Sequence, residues 1–355
     1  MDKKRIVASV VVFLILAVLI YLQYRHWRTF DWPTFWSQTD RVSKVQVLYG
    51  ILLIYFAYFL RALRWKILLR PVQPKASTWS LVAPTVVGFT GLALLGRAGE
   101  FIRPYLIARR TNLPFSSQLA VLVVERIFDL GAFTVLMVFA IFSPGTAALI
   151  PRQQDYVHFR QGGFLLIALV VTMTVAAAVI ARKGEWTARI IERMFSPVSR
   201  SFGHKLGQRV NEFGSGLNTI DGPVSLLSLS VVSLGMWYII GMAYHAVAHS
   251  YGVTALALRM PQLIILMGSS MVGSILQLPA VGGGSQMATI ATLSNVFDVP
   301  AELAASCGIL LWIVTFAAVI PAGLLFAQQE RLSLRTLSEE SHRAGEAQIG
   351  QPPAA

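Results

Sequence analysis

Eight apolar runs, at about 6–22, 46–60, 78–96, 116–143, 162–181, 223–249, 261–281 and 301–327, occupy most of the chain and dictate a membrane fold. A helix needs about 20 mainly apolar residues to cross about 30 Å of hydrocarbon, and most of these runs approach or exceed that length. With 55% of its 355 residues hydrophobic and 13% charged, the chain is too apolar for one soluble core. The net charge of +13 falls in short loops between the runs rather than in one basic domain. The implied partners are therefore membrane lipids with anionic headgroups, and no nucleic acid. A single cysteine, Cys307, lies inside an apolar run, which excludes a disulfide framework and a cysteine metal site. Met1-Asp2-Lys3-Lys4-Arg5 followed by Ile6–Leu22 resembles a secretory signal, but no small-residue cleavage site follows. The expectation is an uncleaved first span.

Loop charge decides how many runs cross. If all eight cross, the 30 Lys and Arg divide 14 to 15 between the two faces, with Arg126 inside a span. That split violates the positive-inside rule. If 78–96 instead enters from the cytoplasm and returns, and 261–281 does so from outside, the division becomes 22 cytoplasmic to 7 external. Backbone chemistry favours the same arrangement. Run 78–96 holds Pro84, Gly88, Gly91 and Gly96, and run 261–281 leads into Pro279 and Gly282-Gly283-Gly284. Such breaks free polar backbone groups that lipid cannot satisfy, so they belong in protein-lined hairpins. The expected fold is an all-α polytopic membrane bundle, with about six crossing helices plus two glycine-broken re-entrant hairpins. It would sit in the cell (cytoplasmic) membrane with both termini cytoplasmic.

A shift of 186 residues places Gly96 on Gly282, Glu100 on Gln286 and Pro114 on Pro300. In each copy a broken hairpin leads to a short helix, a Pro and a long span. With the hairpins on opposite faces, this reads as a pseudo-inverted repeat. The membrane domain spans 1–330. Within it, 182–222 is expected to be a cytoplasmic amphipathic insertion, and 23–45, rich in tryptophan, an external interfacial cap. Residues 331–355 read as a disordered cytoplasmic tail.

Four polar groupings carry candidate chemistry. Gly96-Arg97-Ala98-Gly99-Glu100-Phe101-Ile102-Arg103 closes the first hairpin, and a helix there would stack Arg97, Glu100 and Arg103. Arginine forks suit phosphate, although a salt-bridge set with snorkelling arginines fits the pattern too. Glu125, Arg126 and Asp129 lie about 14 Å into their span at 1.5 Å per residue, near mid-bilayer. At that depth they either pair internally or line a headgroup path. Arg61, Arg64, Trp65, Lys66 and Arg70 cluster where the second span ends, the usual place of a stop-transfer anchor. Gly282, Gly283 and Gly284 with Gln286 offer exposed amides, without the Lys-Ser/Thr ending of a nucleotide loop. His245 and His249 are four apart but have no acid or cysteine to complete a metal set. No nucleophile elbow, zincin motif or paired catalytic carboxylates occurs. The expectation is no enzyme activity, no metal and no cofactor.

Arg64-Trp65, Gly96-Arg97-Ala98-Gly99-Glu100 with Arg103, Glu125-Arg126 with Asp129, and Leu278-Pro279 with Gly282-Gly283-Gly284 occur in this order. Together they resemble the lysylphosphatidylglycerol synthase transmembrane-region family, the flippase-like domain proteins, which includes the membrane half of the multiple peptide resistance factor. The resemblance covers roughly 5–330. It implies translocation of a phospholipid or lipid-linked anionic headgroup, with Arg64, Trp65, Arg97, Gly99, Glu100, Arg103, Glu125, Arg126, Asp129, Gly282, Gly283, Gly284 and Gln286 along the path. Many relatives place a glutamate after the second glycine motif, where this chain has Gln286. No soluble synthase domain follows residue 330, so the translocating half is what the resemblance implies. The alternative is a membrane-embedded accessory protein or enzyme of a glycolipid or envelope-lipid pathway. It would work beside a separate lipid-modifying enzyme or glycosyltransferase.

Overall fold

The computed structural model describes residues 30–150, 153–182, 184–195, 222–278 and 282–329. It is an all-α membrane bundle. After a short amphipathic helix α1 (Trp32–Asp40) come α2 (Lys44–Leu69), α3 (Thr78–Leu95), a 3-10 turn (Gly96–Phe101), α4 (Ile102–Thr111) and α5 (Phe115–Phe142). Then follow α6 (Gln153–Arg182), α7 (Gly184–Phe195), α8 (Gly222–His249), α9 (Met260–Gly273) and α10 (Gly284–Asn295). The last span is α11 (Ala301–Trp312), a π turn (Ile313–Ala317) and α12 (Val319–Gln329). Between α9 and α10, β1 (Gln277–Leu278) and β2 (Gly282–Gly283) form a two-residue antiparallel ribbon.

Five described stretches are long and apolar enough to cross a membrane: Lys44–Leu69, Thr78–Thr111, Gln154–Ala176, Gly222–His249 and Ala301–Gln328. Thr78–Thr111 is no single rod, however. A Cβ on Gly88 would lie 2.4 Å from Arg103 Cβ, and one on Gly99 would lie 2.1 Å from the Gly91 carbonyl. Residue 88 meets 103 and 91 meets 99, so α3 and α4 run antiparallel as a hairpin. Conversely, α5 has 28 residues, or about 42 Å at 1.5 Å per residue. Only Glu125, Arg126 and Asp129 at its middle keep it from reading as a plain apolar span. The second hairpin is just as tight, since a Cβ on Gly273 would meet the Gly284 carbonyl at 2.2 Å. Small residues at such contacts let helix backbones approach where lipid supplies no hydrophobic drive.

The 186-residue repeat extends well beyond the glycine motifs. Helix α4 ends on Asn112 at φ 53°, and α10 is followed by Asp298 at φ 54°; these are the only non-glycine residues with positive φ among those described. Each leads to a proline N-cap, Pro114 or Pro300, both with ψ 141°, and then to the long span of its half. Helices α2 and α8 pack together where Gly50 admits Val247. The main core gathers side chains from both halves, including Tyr58 and Tyr244, which are again 186 apart.

Around this core the surface is apolar. Helix α6 exposes Phe164, Leu165, Leu169, Val171 and Val175, and α2 exposes Val45, Leu48, Leu52 and Phe56. A soluble protein would bury such stripes; here they face lipid. Helix α1 clusters the rings of Phe30, Trp32, Phe35 and Trp36 and leaves Trp36 exposed, as an interfacial segment would. Asp31 caps it, accepting from the Thr34 amide at 3.1 Å. Of the insertion expected at 182–222, α7 is described and 196–221 lies outside the described residues, as do the first span at 6–22 and the tail.

Candidate functional site

Five elements converge on one buried polar cluster. Helix α2 contributes Arg61, Arg64 and Trp65; α3 contributes Phe89; α4 contributes Arg103. Helix α5 contributes Gln118, Glu125, Arg126 and Asp129, and α8 closes the cluster with Ser233 and Trp237. The i,i+4 spacing of Glu125 and Asp129 points both carboxylates inward from one face of α5.

Arg64 is fully buried and bridges the two acids. Its Nη1 donates to Asp129 Oδ1 at 2.7 Å and to Ser233 Oγ at 3.1 Å, and its Nη2 donates to Glu125 Oε1. Arg103 forks onto Glu125 from the other side, Nη1 to Oε1 at 3.1 Å and Nη2 to Oε2 at 2.8 Å. Asp129 Oδ1 also accepts from Trp237 Nε1 at 3.1 Å. The Arg103 guanidinium lies 4.4 Å above the Trp65 ring, and Trp65 in turn donates to Gln118 Oε1 at 3.1 Å. At the cluster's edge Arg126 pairs with Glu100 at 2.5 Å and approaches Asp129 at 3.3 Å.

Arg61 differs from the others. It is 8% exposed, with its guanidinium 4.7 Å from the Phe89 centroid. Its Nη1 is 3.7 Å from Glu125 and 3.6 Å from Asp129, yet it makes no hydrogen bond. Arg64 Nε is likewise buried without an acceptor. Four guanidinium groups (Arg61, Arg64, Arg103, Arg126) face three carboxylates (Glu100, Glu125, Asp129), so the cluster carries one surplus positive charge. The low dielectric of a bundle interior makes both the surplus and the unmet donors expensive.

The residues singled out from sequence are distributed unevenly around this cluster. Arg64, Trp65, Arg103, Glu125 and Asp129 meet within it, and Glu100 and Arg126 form its exposed edge. Arg97, Glu100 and Arg103, expected as one stack, do not pair with one another; Gly96–Phe101 is a 3-10 turn, and each of the three takes a different partner. Glu100 turns to Arg126, and the exposed Arg97 reaches the other hairpin, donating to the Ser274 carbonyl at 3.0 Å. Gly99 serves the hairpin's close packing. Gly282, Gly283 and Gly284 belong to the second hairpin and are not brought to the cluster. There Gln286 Oε1 accepts from the Gly283 amide at 3.1 Å, so that amide is already engaged. His245 and His249 stack at 3.8 Å, and no group of three potential metal ligands converges among the described residues. Sequence reasoning missed the parts of Arg61, Phe89, Gln118, Ser233 and Trp237. The available signal was the spacing of Arg61, Arg64 and Trp65 on one face of α2.

The family model described as "Lysylphosphatidylglycerol synthase TM region" matches residues 6–323. The chain belongs to this family. Within the lysylphosphatidylglycerol synthase transmembrane-region family, it is 26% identical over 277 residues to a "UPF0104 membrane protein" of Methanothermobacter thermautotrophicus, covering 75% of this chain and 78% of that one. A shorter likeness, 36% over 72 residues, is to "Glycosyltransferase AglD" of Haloferax volcanii, covering 20% of this chain and 12% of that protein. No solved structure matches.

Proposed function

We propose that the chain translocates an anionic phospholipid or lipid-linked headgroup between leaflets, with the Arg61–Arg64–Arg103 cluster as the place where the phosphate is met. The observation that carries this reading is the surplus guanidinium, Arg61, buried with an Nη1 that makes no hydrogen bond, beside Arg64 Nε, which makes none either. A purely structural ion-pair set has no need of a fourth cation. A phosphodiester monoanion neutralises the surplus and supplies the missing acceptors. Glu125 and Asp129 then orient the forks. The site is closed in this conformation, so the headgroup enters as the first hairpin moves against α5. The 22-to-7 charge division supports a cell-membrane location with both ends cytoplasmic.

The test is translocation of labelled phosphatidylglycerol in vesicles holding the purified protein. Arg61→Gln removes the surplus charge without breaking a hydrogen bond, so its melting temperature should stay near wild type. Its translocation rate should fall at least tenfold, in line with loss of a charge-assisted bond of about 1.5–3 kcal/mol. Equal rates for the two proteins would sink the assignment. The likeness to the Haloferax glycosyltransferase favours one second reading, an accessory role in a glycolipid pathway. A modified lipid that accumulates only when the protein is present would favour that role.

A further inference from the structure

The 186-residue correspondence carries Arg61 and Arg64 onto Val247 and Ser250, and the other charged members of the cluster onto one place in the second half, outside which Val247 and Ser250 stand. Glu125 falls on Leu311, Arg126 on Trp312, Asp129 on Thr315, Arg103 on Thr289, Glu100 on Gln286 and Gly99 on Ser285. These six residues are not scattered. All of them line one seam between the second hairpin, α8 and the α11 span, together with Tyr244 and Ser270. The counterpart of the hairpin and long-span side of the charged cluster is therefore intact as a place and altered in chemistry. Every ionisable group has been replaced, and most of the replacements are polar.

The hydrogen-bonding state of the seam specifies its ligand. Thr289 donates to the Ser285 carbonyl at 2.7 Å, and Thr315 donates to the Leu311 carbonyl at 2.7 Å. Each hydroxyl has thus used its proton within its own helix and keeps lone pairs for an incoming donor. Trp312 presents the reverse case: its Nε1 is buried and has no acceptor. A second observation marks the same spot. Thr315 sits in the π turn Ile313–Ala317, a widening that interrupts the last span, whereas its counterpart α5 is a continuous α-helix. Such turns concentrate at functional positions.

Acceptors beside an unmet donor, with no ionisable side chain, suit a group that both donates and accepts and is uncharged. From this we infer that the seam formed by Tyr244, Ser270, Ser285, Thr289, Trp312 and Thr315 binds a neutral polyol, the hydroxylated part of a lipid headgroup. A phosphate would find no cation there, and an acyl chain would leave the hydroxyls and the indole unsatisfied. The seam admits no water-sized group as it stands, so the polyol enters when the second hairpin separates from α11. In choosing a lipid as the bearer of the polyol, the inference rests on the translocation reading.

The two are separated by comparing phosphatidylglycerol with phosphatidylmethanol, each measured by native mass spectrometry of the purified full chain. Both are phosphodiester monoanions, and only the first carries free hydroxyls. Wild type should prefer phosphatidylglycerol about tenfold, as one to two hydrogen bonds allow. Thr289→Val/Thr315→Val should bring that ratio to near one, while Thr289→Ser, which keeps the hydroxyl, retains it. Trp312→Phe, which stays aromatic but smaller and removes the N–H, should lower the ratio too and serves if the valine pair melts early. Arg61→Gln should weaken both lipids equally and leave the ratio intact. A wild type blind to the glycerol, or valine and phenylalanine variants that keep the full preference, would overturn the polyol site. Unchanged binding of both lipids by Arg61→Gln would instead overturn the phosphate reading and leave the ratio to judge the seam.

Discussion

Glu125 Oε1 accepts from two arginines at once, Arg64 and Arg103, and Arg103 Nη2 lies 2.8 Å from Oε2, in a site where the Glu125 side chain is 1% exposed. Neutralising it leaves Arg103 without a carboxylate partner and Arg61 and Arg64 facing Asp129 alone. Glu125→Gln should therefore lose about 3–5 kcal/mol of stability, the range for stranding a buried charge. It would be seen as a lower melting temperature and reduced folded yield in detergent. The second half suggests the remedy, because the same two places hold Leu311 and Thr289 without a charge. Glu125→Leu/Arg103→Thr copies that pair, and removing both partners of an ion pair is far gentler than removing one. The double variant should recover most of the melting temperature while its phosphatidylglycerol translocation stays lost. A double variant as unstable as Glu125→Gln would mean that the pair is needed by the fold itself. Arg61 behaves in the opposite way to Glu125, since little in the fold depends on it and the proposed function does. The sequence did not separate these roles. Both arginines of α2 read as an anchor at a membrane edge, because the apolar run stops near residue 60. The helix continues to Leu69, and that extra length takes Arg61 and Arg64 into the bundle.

At the scale of elements, each hairpin depends on backbones touching. Gly99→Val would drive its side chain into the Gly91 carbonyl, 2.1 Å from the first added carbon, and no rotamer relieves a backbone clash. It should fail to give a monodisperse, heat-cooperative protein in size-exclusion and melting measurements. Gly131 on α5 has nothing within 4 Å of an added Cβ, so Gly131→Ala should behave as wild type or slightly better. If the two variants melt alike, the close packing of α3 on α4 is not what holds the hairpin. These breaks were legible in the sequence because glycine and proline inside an apolar run have few other uses. The 186-residue repeat was visible in only a few positions. Its strongest marks, the left-handed Asn112 and Asp298, are different amino acids that share one backbone conformation. Partner choice stayed hidden for a different reason. Arg64 meets Ser233 across 169 residues and Asp129 across 65, and nothing local to either helix encodes such a contact.

For the molecule as a whole, the two halves share one plan and differ in charge: arginine and carboxylate in the first, hydroxyl and indole in the second. If the halves are inverted in the bilayer, one polar site opens toward each leaflet, and a headgroup with an anionic and a hydroxylated part meets a suitable surface on either side. That consequence turns on topology, which single cysteines can read. The native Cys307 is buried, so background labelling by a membrane-impermeant maleimide should be low. Lys75 and Arg109 flank the first hairpin, Thr254 and Ala301 flank the second, and all four are exposed. If both hairpins re-enter, cysteines at 75 and 109 label from the cytoplasmic face only, and those at 254 and 301 from the opposite face only. If every apolar run crosses, 75 and 109 fall on different faces, as do 254 and 301. A split result within either pair would remove the inverted arrangement. The charged and neutral sites would then be two features of one half-symmetric bundle, without the opposed access that translocation requires.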